Sequence, residues 1–151
     1  MRIVECVPNI SEGRRREVIE AVVQAAARVA GVTVLNVDIG EETNRTVITF
    51  VGEPAAVLEG AFQLAAKAYE LIDMRTHRGA HPRFGAVDVV PFVPVTGVTM
   101  AECVDLARQL GKRLGEELDV PVYLYEAAAT TPTRRNPADI RAGEYEGLAA
   151  K

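Results

Sequence analysis

Residues 32–52, "VTVLNVDIGEETNRTVITFVG", contain two runs rich in β-branched residues on either side of the polar segment "EETN". β-Branched side chains fit the pleated surface of a strand, and a short polar segment between two such runs is typical of a hairpin. The sequence therefore predicts strands over residues 32–40 and 45–52. Together the two strands are predicted to form a hairpin.

A strand and a helix are predicted before the hairpin. The segment "RIVECVPNI", residues 2–10, reads as a strand whose ladder ends at Pro8, because proline has no N–H to donate. Ser11 is the expected N-cap of the helix that follows. Its apolar residues recur at helical spacing: Val18, Val22, Ala26 and Val29.

After the hairpin, Pro54 is expected to open a second helix. Its apolar face comprises Leu58, Ala61, Phe62, Ala65, Tyr69 and Ile72. Residues 86–95, "AVDVVPFVPV", predict a strand. Thr99 and Glu102 have the spacing of a capping box and would start a third helix, and residues 120–126, "VPVYLYE", predict a final strand.

The predicted order of elements is β-α-β-β-α-β followed by α-β. The first six elements match the split βαβ plan, so we expect an α/β (α+β) fold with a ferredoxin-like core extended by a further helix and strand. Helices would cover one face of the sheet. The other face would remain apolar and exposed, which is rare in a monomer. We therefore expect a homodimer or a tight complex with a separate partner.

Composition limits the class of function. The chain has 151 residues and a formal net charge of −4, which suits one domain and argues against nucleic-acid binding. The longest uncharged stretch, residues 89–101, contains two prolines and is too short to span a bilayer. The N-terminus lacks the pattern of a signal peptide. We expect a cytoplasmic protein with no membrane association.

Both histidines of the chain lie in one arginine-rich segment, "THRGAHPRFG", residues 76–85. Gly79 and Pro82 interrupt any helix there, so the spacing of His77 and His81 does not predict a metal site. Cys6 and Cys103 fit no zinc pattern and are expected to be reduced and buried. The segment is either a solvated surface loop or a site where an imidazole acts as general acid and base among cations that bind an anionic substrate.

Other polar residues are placed at strand ends. Asn9 follows the first strand, Asp38 comes late in the second, and Asn44 and Arg45 lie in the hairpin. Asp38 could pair with a histidine and fix its tautomer. The alternatives are that Asp38 caps a turn and that Asn44 is only a turn residue.

Long ordered stretches resemble the glutamate formiminotransferase family, in its N-terminal subdomain. They include "VECVPNISEGRR" (residues 4–15), "NVDIGEETNRTVITFVG" (36–52) and "IRAGEYEGL" (140–148). The longest, residues 71–103, spans the arginine–histidine segment. The resemblance covers nearly the whole chain. It implies a single domain over residues 1–151, with the family's second, C-terminal subdomain absent.

The resemblance also implies a reaction and its residues. The family transfers a formimino group from N-formimino-L-glutamate to tetrahydrofolate, its co-substrate, without a metal. His81, in "HPR", matches the family's catalytic histidine, and Asp38 matches a site residue beside it. The residues implied to bind substrate or folate are Asn9, Asn44, Arg45 and Arg83.

The implied chemistry suits an imidazole among guanidinium groups. N5 of tetrahydrofolate attacks the formimino carbon, and one imidazole with a pKa of about 6.5 can take a proton and return it to the leaving amine. Guanidinium groups recognise the carboxylates of both substrates. Because the second subdomain is absent, two alternatives stay open: a non-catalytic folate- or anion-binding module, and a dimerising ferredoxin-like module.

Overall fold

The structure is a computed structural model that describes residues 1–72 and 86–119. These residues form a six-stranded sheet and three helices. The strands are β1 (Ile3–Cys6), β2 (Asn9–Ile10), β3 (Thr33–Gly40), β4 (Arg45–Gly52), β5 (Val87–Val89) and β6 (Phe92–Thr96). The helices are α1 (Arg16–Ala27), α2 (Pro54–Leu71) and α3 (Met100–Leu118).

The predicted hairpin is confirmed. β3 and β4 pair antiparallel, with Asp38 opposite Val47 and Gly40 opposite Arg45. The turn between them places Asn44 at a φ of 54°, in the left-handed region that asparagine tolerates better than most residues. β4 also pairs with β1 and β2, so it lies at the centre of the sheet.

The sheet has two interrupted strands side by side. β1 and β2 are separated by Val7 and Pro8, while β5 and β6 are separated by Val90 and Pro91. The N–H of Val7 donates to the carbonyl of Pro91 at 3.2 Å, and the Pro8 carbonyl accepts from Ile48 at 3.0 Å. The prediction that the ladder ends at Pro8 is therefore wrong. Proline removes a donor but keeps its acceptor, and pairing resumes at the next residue, Asn9.

The three helices pack side by side on one face of the sheet, with α2 in contact with both α1 and α3. The core lies between the layers and contains alternate residues of the strands. Its fully buried members include Val4, Ile48, Phe50, Val22 and Leu64. The α/β class with an antiparallel sheet and helices on one face is confirmed. The ferredoxin-like detail stays a prediction, and the predicted final strand, residues 120–126, lies outside the described residues.

The two cysteines are buried in this core and free, as predicted. Burial raises the pKa of Cys6 well above its usual value, and the nearby Glu5 carboxylate adds to the effect. Burial and the charge of Glu102 also raise the pKa of Cys103. A thiol with a raised pKa is a poor nucleophile at neutral pH, so neither cysteine is suited to catalysis.

Helix starts follow two different patterns. Thr99 and Glu102 form the predicted capping box at α3, with each side chain bonded to the other's backbone N–H. The prediction that Ser11 caps α1 is wrong, because α1 begins only at Arg16. The intervening residues 11–15, here called the anchor loop, pack against the β3–β4 turn instead. The N–H of Ser11 donates to the carbonyl of Ala86 at 2.8 Å.

The anchor loop approaches the hairpin turn at backbone distance. A Cβ atom placed on Gly13 would lie 2.1 Å from the carbonyl oxygen of Gly40 and 2.7 Å from the nitrogen of Arg45. Both atoms belong to backbone that cannot rotate away. The N–H of Gly13 also donates to Oδ1 of Asn44 at 2.8 Å. Only glycine fits here, because any larger residue would push the loop off the sheet.

We predict that Gly13→Ala destabilises the protein by about 3 kcal/mol, at the upper end of overpacking effects because backbone atoms block the new methyl group. Ala101→Gly, on the exposed first turn of α3, is the control and should cost about 1 kcal/mol or less. Urea unfolding of both variants measures the difference. Equal losses of stability would show that the anchor loop can move away from the turn.

Candidate functional site

Asn9 and Asp38 lie on the sheet face opposite the helices. In the antiparallel register Asn9 is opposite Val47, and Val47 is opposite Asp38, so the three residues form one row across β2, β4 and β3. The flanking residues Thr46 and Ile48 are buried on the helix side. Because strands are spaced about 4.8 Å apart, the two polar residues are separated by about 10 Å. Asp38 is exposed, and Asn9 is half-buried.

This face, here called the open face, carries charge as well as apolar surface. Glu5 is opposite Val51 on one side and Val93 on the other. Val93 is 42% exposed. The expectation of an apolar open face is therefore only partly right. On the open face, acidic and amide side chains alternate with valines. This composition suits contact with both a polar ligand and another protein layer.

Asn44 and Arg45, both predicted to bind substrate, are held by contacts within the subdomain. Asn44 is buried, and its side chain accepts the hydrogen bond from Gly13. Nη2 of Arg45 pairs with Oδ2 of Asp88 at 2.9 Å, and the two side chains are only 10% and 1% exposed. These contacts show a structural role for both residues. Binding of substrate by either one stays a prediction.

Asp88 was not singled out by the sequence analysis, although a signal was present. It is the only charged residue in the apolar stretch "AVDVVPFVPV", and a carboxylate buried in such a strand requires a cationic partner. Burial, with the charge of Asp88, raises the pKa of Tyr69 to about 12. Tyr69 is therefore a neutral hydroxyl in the cell and not a base.

The N-cap residue of α1, Arg15, has no side-chain capping bond, and the loop before the helix is held by Glu12. Its carboxylate accepts from the backbone N–H groups of Arg14 at 3.0 Å and Arg15 at 2.9 Å, and from Nε of Arg15 at 2.9 Å. Burial opposes ionisation of Glu12, but these hydrogen bonds and the Arg15 charge outweigh it and lower its pKa. The carboxylate is thus ionised at the start of α1, where negative charge is favourable.

The remaining predicted site residues, His81 and Arg83, lie outside the described residues, as does the other histidine, His77. So does any contact between His81 and Asp38. Within residues 1–72 and 86–119, no three His, Cys, Asp or Glu side chains are grouped as metal ligands. Over the same part of the chain, no helix has the length and apolar character needed to cross a membrane.

Comparison with known proteins decides the family. Residues 3–151 match the family described as "Formiminotransferase domain, N-terminal subdomain". The chain belongs to this family. The formiminotransferase subdomain is 46% identical over 150 residues to the glutamate formimidoyltransferase of Streptococcus pyogenes serotype M1, and 50% identical over 146 residues to that of Thermoplasma acidophilum. It is 57% identical over 150 residues to the formimidoyltransferase-cyclodeaminase of Rattus norvegicus.

The formiminotransferase subdomain covers only part of these relatives. The matches include 97–99% of this chain. They span 50% of the Streptococcus pyogenes protein, 48% of the Thermoplasma acidophilum protein and 28% of the rat protein. The chain therefore corresponds to about half the length of the glutamate formimidoyltransferases it matches.

Asp88→Ala is predicted to lower the free energy of unfolding by about 3–5 kcal/mol, because it leaves the Arg45 guanidinium buried without its carboxylate. Glu117→Ala is the control, since Glu117 pairs with Arg113 but is 53% exposed. That loss should be about 1 kcal/mol or less. Denaturant unfolding compares the two variants, and a small effect at Asp88 would mean that water reaches Arg45.

The lowered pKa of Glu12 predicts a pH dependence of stability. A carboxyl group with a depressed folded-state pKa stabilises the fold above its unfolded pKa, near 4.5, and this contribution is lost as pH falls through the folded pKa. The stability deficit of Glu12→Gln should therefore shrink as the pH is lowered from neutral into this acidic range. Glu20→Gln, on the exposed surface of α1, controls for the loss of one acidic group. If the free energies of unfolding of wild type and Glu12→Gln differ by the same amount at every pH, this role of Glu12 is contradicted.

Proposed function

We propose that the chain is the histidine-bearing half of a glutamate formimidoyltransferase, which transfers a formimino group from N-formimino-L-glutamate to tetrahydrofolate. The observation that carries this proposal is the identity of 46–50%, over nearly the whole chain, to proteins of that name. The open face supports it, because Asn9 and Asp38 share one row there. Tetrahydrofolate acts as a co-substrate, and the reaction uses no metal.

In the proposed reaction, N5 of tetrahydrofolate forms a bond to the formimino carbon and gives a tetrahedral intermediate. His81 takes the proton released from N5. The bond between this carbon and the glutamate nitrogen then breaks, and His81 returns the proton to the departing amine. Asp38 fixes the tautomer of the imidazole by accepting its second N–H. His81 therefore ends the reaction in the protonation state in which it began.

Substrate binding is assigned to residues near the same face. Arg83 holds a substrate carboxylate, because a planar guanidinium matches its two oxygens. Asn9 offers an amide to the folate from its place in the row with Asp38. Arg45 and Asn44 contribute from the hairpin.

The open face requires a second protein layer in the complete enzyme. Its valines are only partly covered in the described residues, and Val93 and Val95 are 42% and 53% exposed. The glutamate formimidoyltransferases that the chain matches are about twice as long as this chain. A C-terminal subdomain is therefore the proposed cover, with a homodimer as the alternative partner. The enzyme is proposed to act in the cytoplasm.

A second candidate function is a folate- or anion-binding module without turnover. It is favoured by the polar groups of the open face, where Asn9 and Asp38 lie in one row. Titration with tetrahydrofolate, together with a turnover assay, separates the two functions. Binding without turnover, even in combination with the second half of the Thermoplasma acidophilum enzyme, would favour the module.

His81→Ala should lower kcat by about two to four orders of magnitude, the usual contribution of a general acid–base group. The assay uses the chain combined with the second half of the Thermoplasma acidophilum enzyme and follows formimino transfer. The dissociation constant of tetrahydrofolate should change much less, because the imidazole acts mainly in the transition state.

His77→Ala is the matched control, because it removes the other imidazole from the same segment and should cost far less in rate. If both variants keep the wild-type rate, the segment is a solvated loop and the catalytic assignment is wrong. Equal large losses in both would instead mean that the segment, and not His81 in particular, is required.

A further inference from the structure

The open face carries a second polar pair, Asn36 and Thr49, which the sequence analysis did not single out. Asn36 of β3 is opposite Thr49 of β4, one row away from Asp38. Ile48 and Phe50, on either side of Thr49 in the strand, are both fully buried towards the helices. Because side chains alternate along a strand, Thr49 and the opposite residue Asn36 belong to the open face.

Four polar residues border one valine on this face. Val47 is opposite Asp38 on one side and Asn9 on the other. The group formed by Asn9, Asn36, Asp38 and Thr49 is here called the polar patch. Rows of one face are about 7 Å apart along the strands and strands are about 4.8 Å apart, so the patch measures about 7 by 10 Å. An apolar floor with a few polar groups at its edge is the usual composition of a small-molecule site.

The polar patch has hydrogen-bonding capacity that the described part of the chain does not use. Within residues 1–72 and 86–119, the side chains of Asn36, Asp38 and Thr49 make no hydrogen bond or ion pair. Asn36 and Asp38 are exposed, and Thr49 is half-buried. The side chain of Asn9 donates to the carbonyl of Val7 at 3.4 Å, which is a long hydrogen bond. These groups are therefore available to a ligand.

Charge decides which part of the proposed substrates suits the polar patch. Its one charged residue is Asp38. Arg45, two residues before Val47 on β4, is already paired with Asp88 at 2.9 Å and is largely buried. A substrate carboxylate placed here would meet a like charge without a counterion. An uncharged heterocycle with N–H donors and a carbonyl acceptor would instead match the amides, the hydroxyl and the carboxylate.

We propose that Asn36 and Thr49, together with Asn9, bind the pterin ring of tetrahydrofolate over Val47. The pyrimidinone part of this ring is flat and uncharged, and it carries amino, N–H and carbonyl groups. The carboxylates of the folate tail and of N-formimino-L-glutamate are then bound elsewhere, by guanidinium groups. The identity of the ring rests on the proposed function, whereas the preference for an uncharged heterocycle over a carboxylate rests on the polar patch itself.

NMR of threonine methyl groups tests contact with the ring in the full chain. The probe is 6-methyltetrahydropterin, which has the ring without the glutamate tail. Thr49→Val and Thr33→Val assign the two signals of interest. Thr33 is exposed on β3 opposite Val51, one row beyond the polar patch. The probe should shift the Thr49 resonance far more than the Thr33 resonance. No shift of Thr49 at the solubility limit of the probe would overturn the proposal.

Substitutions test the hydrogen bonds. Asn36→Ala and Thr49→Val each remove one hydrogen-bonding group and should raise the Kd of the probe about fivefold. Valine keeps the β-branched shape of threonine and Asn36 is exposed, so both variants are expected to fold, which urea unfolding checks.

Thr33→Val is the matched control, because it removes the same hydroxyl from the same face outside the polar patch. Its Kd for the probe should stay within about twofold of the wild-type value. An equal loss of affinity in Thr33→Val, or no loss in either patch variant, would overturn the proposal. So would a loss of affinity for N-formimino-L-glutamate as large as that for the probe, since the patch would then not select the ring.

Turnover of the chain combined with the second half of the Thermoplasma acidophilum enzyme tests the proposed function separately. In Asn36→Ala and Thr49→Val the KM for tetrahydrofolate should rise about fivefold, with kcat and the KM for N-formimino-L-glutamate within about twofold. If the wild-type combination shows no turnover, the proposed function fails, and the probe titrations still decide the role of the polar patch. Normal turnover with an unchanged KM for tetrahydrofolate in both variants would refute the role of the patch alone.

Discussion

The close backbone contact between Gly13 and the β3–β4 turn is the constraint on which the rest of the arrangement depends. It allows no side chain at Gly13, and it brings the anchor loop within hydrogen-bonding distance of Asn44. From this position the loop leads into α1, and it bonds to the carbonyls of Leu71 at the end of α2 and of Ala86 before β5. A loop that a sequence reader would take for a simple linker is therefore the junction between the sheet, α1 and the candidate site.

Local patterns predicted the elements of this fold well. The β-branched runs on either side of "EETN" identified the hairpin, and Pro54 and the Thr99–Glu102 pair located two helix starts. Each of these signals lies within a few residues of the structure it specifies. Patterns that depend on sequence neighbours alone are sufficient where the physical cause is also local.

The errors arose where the cause is distant in sequence. Ser11 has a good capping side chain, but its backbone bonds to Ala86, and the anchor loop delays α1 until Arg16. Pro8 lacks a donor, yet neighbouring strands still use its carbonyl. Likewise, nothing within a few residues of Asp88 identifies Arg45 as its partner. Propensity and spacing carry no information about which side chains tertiary contacts bring together, so these three features required the structure.

The contacts that hold the start of β5 against the rest of the fold join residues far apart along the chain. Ser11 bonds to Ala86, and Arg45 pairs with Asp88. Closing such large loops costs chain entropy before any contact forms, so pairings of this kind appear late in folding. The hairpin and the helices can form from nearby residues, but these two contacts need residues that are far apart in sequence to come together. The junction between the anchor loop, the hairpin turn and β5 is therefore expected to assemble after the secondary structure around it.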